Sequence, residues 1–90
     1  MKNKANNDVM EVLSYNISYL RKEYNLTKLN MAKIMGVGIK TLNKVEKGIL
    51  PAKLTVDFLF RIQKYFNIPV SVIVSKKINE NILVNRFLER

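Results

Sequence analysis

Ninety residues carrying 16 lysines and arginines against seven acids give a formal charge of +9, and 48% of the chain is apolar. That describes one domain with a single core, too short for a separate effector-sensing domain, and its charge calls for an anionic partner. Cysteine and histidine are absent, which removes disulfides, thiol chemistry, Cys/His metal centres and the commonest general base, so no enzymatic activity, metal or cofactor is expected.

The chain opens on MKNKANND, polar and with no apolar run behind it, and nowhere do 18 apolar residues follow one another. Neither a signal peptide nor a membrane span is expected, and a cytoplasmic protein is the default. Residues 1–8 read as a disordered polar tail, with Asp8 and Glu11 spaced as a capping box for a first helix. Val9, Leu13, Ile17, Leu20 and Tyr24 then recur at steps of four and three, an amphipathic helix ending near Asn25. Thr27 is placed to cap a second helix whose apolar contacts come from Leu29, Met31, Ala32 and Met35. Gly36 fits the position past its end, where left-handed dihedrals cost little for glycine.

Gly38 starts a third helix and Gly48 ends it. At about 100° per residue, Lys40, Asn43, Lys44 and Lys47 fall at i, i+3, i+4 and i+7 on one basic stripe, with Leu42 and Val45 pointing the other way. Between Lys28 and Lys53 stand six lysines and one acid, Glu46. This local cluster argues for a polyanion more strongly than total charge does, because counterion release depends on cations meeting phosphates together.

Pro51 marks a loop after Gly48. Val56, Leu59, Phe60, Ile62, Gln63 and Phe66 trace a fourth, strongly apolar helix closed by Asn67 before Pro69. Val70 to Val74 is β-branched and would read as a strand alone, but it is read as a short fifth helix because a lone strand has nothing to pair with. Residues 78–90 can form a sixth, with Ile82, Leu83, Phe87 and Leu88 exposed along it. No internal repeat or long linker is evident.

The run LRKEYNLTKLNMAKIMGVGIKTLNKVEKG, continuing through the apolar helix to FNIPVSVIV, resembles the phage-repressor type of helix-turn-helix, the Cro and lambda-repressor or Xre-like family, over roughly residues 17–74. Leu26-Thr27, Ala32, Gly36-Val37, Thr41-Leu42 and Glu46-x-Gly48 stand at the family's spacings. The resemblance implies an all-α, compact five-helix repressor-type domain over residues 9–75. Residues 76–90 become an extension in which an added dimerisation helix fits. It further implies a bacterial or phage regulator that binds double-stranded DNA as a homodimer.

Carried over position by position, the DNA-binding residues are Lys28, Gly38, Ile39, Lys40, Thr41, Asn43, Lys44 and Lys47. Of these, Ile39, Lys40, Asn43 and Lys44 would read bases, Thr41 and Lys47 would lie nearer the backbone, and Lys28 would meet a phosphate. Lysines 40 and 44 can donate to guanine O6 and N7, Asn43 can pair with adenine N6 and N7, and Ile39 can touch a thymine methyl. Glu46, the one acid among the lysines, should turn inward and pair with Arg21, because a carboxylate facing phosphates would oppose binding.

Two departures stand out. Gly38 occupies a place where the family carries Ser or Thr, so the third helix loses a side-chain cap. Apolar Ile49 and Leu50 follow Gly48 where polar residues are usual, as packing groups or as partner contacts. Phe58, Phe60, Tyr65 and Phe66 are expected in the core, since no sheet is evident to display them for base stacking. A protein-binding module of the same fold, such as an antitoxin or anti-regulator, is the second expectation, and binding to anionic membrane or RNA, resting on charge alone, the third.

Overall fold

The computed structural model describes residues 4–81 and 83, with side chains from Val9 onward. Among the described residues five helices follow one another: α1 (Lys4–Glu23), α2 (Lys28–Met35), α3 (Ile39–Glu46), α4 (Asp57–Phe66) and α5 (Val70–Ile73). No strand occurs among the described residues. Val70 to Ile73 is thus helical despite its β-branched composition, which tertiary packing overrides.

Three of the connections are set by one local device. After α1, α2 and α3 the chain reverses through a left-handed residue, Asn25 (φ 55°), Gly36 (φ 73°) and Gly48 (φ 84°) respectively. Each time two backbone bonds close the end: Leu26 N–H to the Arg21 carbonyl and Asn25 to Lys22, Val37 to Ala32 and Gly36 to Lys33, Ile49 to Lys44 and Gly48 to Val45. This is the Schellman pattern, which satisfies carbonyls that a helix end leaves orphaned. At the other end of α2, the Thr27 hydroxyl accepts from the Asn30 N–H at 3.0 Å. Gly38 stands before α3 in extended conformation and gives it no side-chain cap.

The core is one cluster drawn from every helix. It holds Leu13, Ile17 and Leu20 of α1, Met31, Ala32 and Met35 of α2, Leu42 and Val45 of α3, Phe58, Ile62 and Phe66 of α4, with Ile68, Ile73 and Ile78. Ala32 is buried on α2, which packs on α3. α2 also packs on α4, and α1 packs on α3 and α5.

Among the described residues one polar side chain, Asn16, is buried in the core. Its amide donates to the carbonyls of Ile73 at 2.7 Å and Lys76 at 2.8 Å, and its Oδ1 accepts from the Ile78 N–H at 2.7 Å. One side chain thereby fastens the segment after α5 to the first helix. Beside it Lys77 reaches Glu11 at 3.4 Å and lies 5.2 Å from the Tyr15 ring centroid.

Several expectations require correction. α1 begins at Lys4, so residues 4–8 are helical backbone and Asp8 lies inside the helix instead of capping it. Extending a helix already anchored by its apolar face costs little per residue. Val9 and Leu29 are exposed, and Tyr24 is only at the margin, its ring set edge-on to Phe66 with centroids 4.9 Å apart.

α4 buries a narrower row than its composition suggests. Phe58, Ile62 and Phe66, spaced by four, face inward, while Phe60 and Tyr65 are 55% and 56% exposed, and Val56 before the helix is exposed too. Phe60 lies two residues, about 200°, from the buried row. Of the expected sixth helix, Glu80, Asn81 and Leu83 have helical backbone, with the Leu83 N–H donating to the Asn79 carbonyl. Ile82, Phe87 and Leu88 lie outside the described residues.

Candidate nucleic-acid interface

α3 sorts its eight residues into two faces. Leu42 and Val45 are fully buried, while Lys40, Lys44 and, just past the helix end, Lys47 are exposed together with Ile39. Thr41 and Asn43 are half-buried, and Gly38 is exposed at the helix start. Lys40, Asn43, Lys44 and Lys47 therefore share the outward side of a helix held by its aliphatic back.

No carboxylate among the described residues pairs with Lys40, Lys44 or Lys47. Like charges at i, i+3 and i+4 repel, each pair by a few tenths of a kcal/mol. The stripe thus opposes the helix that carries it, and its charge is left for an external anion.

The one acid of the segment is withdrawn from that face. Arg21 Nε donates to Glu46 Oε2 at 2.8 Å and Arg21 Nη2 to Glu46 Oε1 at 3.3 Å, the side chains retaining 16% and 10% exposure. Two parallel bonds between a guanidinium and a carboxylate fix orientation as well as distance. The pair joins α1 to the end of α3 and keeps negative charge behind the lysines. Either partner alone would be a desolvated charge without compensation.

Lys28, the first residue of α2, does not stand apart from α3. Its Nζ donates to Asn43 Oδ1 at 2.9 Å, joining the two helices at the surface. The turn between them is covered from α4: a Cβ on Gly36 would lie 2.6 Å from Arg61 Nε. Arg61 itself pairs with Asp57 at 2.8 Å along the exposed side of α4.

A further cation joins the site. Lys53 lines a groove with Val37, Gly38, Thr41, Pro51 and Leu54, which sets this residue beside the start of α3. Lys53 belongs to the basic cluster of the sequence but not to its helical stripe, and only the path of the loop through Pro51 brings it to the site. Lys33, also in the cluster, is exposed on α2.

Ile49 and Leu50, left open as packing or contact residues, are 53% and 56% exposed. They do not serve the core. No group of three or more His, Cys, Asp or Glu gathers as a metal site among the described residues, and no helix among them is long and apolar enough to cross a membrane.

A helix-turn-helix family model matches residues 17–73, well over half of the chain. The matched span runs from within α1 to the end of α5 and contains the whole of α2, α3 and α4. No curated protein and no solved structure matches the chain.

Proposed function

We propose, because this chain belongs to the helix-turn-helix family of the Xre and lambda-repressor type, that it is a sequence-specific regulator of transcription which lays α3 in the major groove of double-stranded DNA. The family is one of DNA-binding regulators. The observation that carries the reading is the division of α3 itself: lysines at 40, 44 and 47 outward and without a carboxylate among the described residues, Leu42 and Val45 inward, Glu46 tied to Arg21 behind them.

In this reading Ile39, Lys40, Asn43 and Lys44 meet base edges, while Thr41, Lys47 and the backbone at Gly38 lie against phosphates. Lys53 adds a phosphate contact beside the helix start. One helix spans too few base pairs for useful selectivity. Two copies acting as a homodimer, their α3 helices one turn of DNA or roughly 34 Å apart, read two half-sites. Exposed Ile49 and Leu50, following α3 directly, are the residues on which a second copy would close. Action as a repressor in the cytoplasm of a bacterial or phage-infected cell follows from the same reading.

Selection from a random duplex pool at stated salt tests it. Enrichment of a two-fold symmetric motif with half-sites one turn apart is the expected outcome, and enrichment of nothing above the starting pool contradicts it. The exposed apolar groups at 49, 50 and 60 also fit a second reading, a protein-binding module such as an antitoxin or anti-regulator. A stoichiometric acidic protein whose contacts cover Lys40 to Lys47 would replace the DNA reading with that one.

A further inference from the structure

The bond between Lys28 and Asn43 has chemical polarity. A lysine ammonium has donors only, so its partner on the asparagine is the carbonyl oxygen, and the side chain cannot be turned over without losing the bond. With Oδ1 held toward Lys28 at 2.9 Å, Asn43 keeps both Nδ2 donors free and one Oδ1 lone pair beside the ammonium. Asparagine reads adenine by using both halves of its amide, Oδ1 accepting from the adenine N6 amino group while Nδ2 donates to N7. Here one lone pair of Oδ1 is taken, and an N6 amino group using the other would come up beside a positive charge. Guanine offers two acceptors, N7 and O6, which match the free Nδ2 donors and the remaining ammonium protons of Lys28.

We propose that Lys28 is a positioning residue for Asn43, and that the pair forms a donor-only reader selecting guanine over adenine at one position of each half-site. The inference rests on the reading of α3 as a DNA-recognition helix and adds to it a specificity residue that stands on α2. Lys40 and Lys44, with no such bond among the described residues, contribute no comparable polarity.

Random-pool selection run in parallel on the unaltered chain, Lys28→Met, Lys28→Arg and Asn43→Ala tests it, with circular dichroism to verify that each variant is folded. The unaltered chain should prefer guanine over adenine at one position by about tenfold, within the range of a bidentate contact. Lys28→Arg, also donor-only, should keep guanine. Lys28→Met frees Oδ1 and should move the preference at that same position to adenine, and Asn43→Ala should erase it there alone. If Lys28→Met keeps guanine and weakens all sequences alike, Lys28 is a phosphate contact only; the proposal is overturned while the DNA reading stands. If the unaltered chain enriches no motif, both fall together.

Discussion

The two faces of α3 come from one eight-residue segment and answer to opposite demands. On the inner face Leu42 and Val45 are fully buried and Glu46 is bound by Arg21, so each group has a partner within the fold. On the outer face the lysines have none among the described residues, and their mutual repulsion makes them a small cost to the folded state. The contrast teaches that stability and recognition are carried by different residues one position apart. Changes on the inner face should alter folding, and changes on the outer face should alter binding and its salt dependence.

The largest effect is expected at Leu42→Ala. Removing a fully buried leucine from a packed crossing costs about 3 kcal/mol through lost burial and the cavity left behind. Urea denaturation measures it, and a loss below about 1 kcal/mol would mean that this face is not locked inside. Glu46→Ala comes next, at about 2 kcal/mol, because it leaves the guanidinium of Arg21 largely desolvated and without its two bonds. That variant sharpens the contrast: it raises net charge, yet it should lower the unfolding midpoint. An unchanged midpoint would show the pair to be ornamental.

Much of this organisation was legible in the chain because it depends on short-range rules. Thr27, Gly36 and Gly48 punctuate α2 and α3 through capping and left-handed geometry that only a few residue types supply, and each acts there in the structure. The face sorting of α3 follows from helical periodicity alone. What was not legible depends on neighbours distant in sequence.

Asn16 stands at i+3 from Leu13 and i−4 from Leu20, a polar residue inside the apolar stripe of α1. That position is the only signal it gives, and its three partners lie about 60 residues away. Phe60 and Tyr65 are apolar enough for the core, but the width of the buried arc on α4 is decided by how closely α2 and α5 press on it. The start of α1 at Lys4 was missed because propagation from a packed helix needs no cap of its own. Within the site, the Lys28 to Asn43 bond depends on the crossing of α2 and α3, which periodicity does not give.

The central claim is that the lysines on the outer face of α3 are free of structural duty and engage phosphates and bases. The most direct test replaces Lys40, Lys44 and Lys47 together with glutamine and measures folding and DNA binding on the same variant. Unfolding free energy should stay within about 1 kcal/mol of the unaltered chain or rise slightly as repulsion is relieved. The slope of log affinity for duplex DNA against log salt should fall by at least about 0.9 per protomer, the value for the Lys47 phosphate contact alone, and sequence preference should be lost with Lys40 and Lys44. A variant that loses stability while its salt slope stays unchanged would contradict the account.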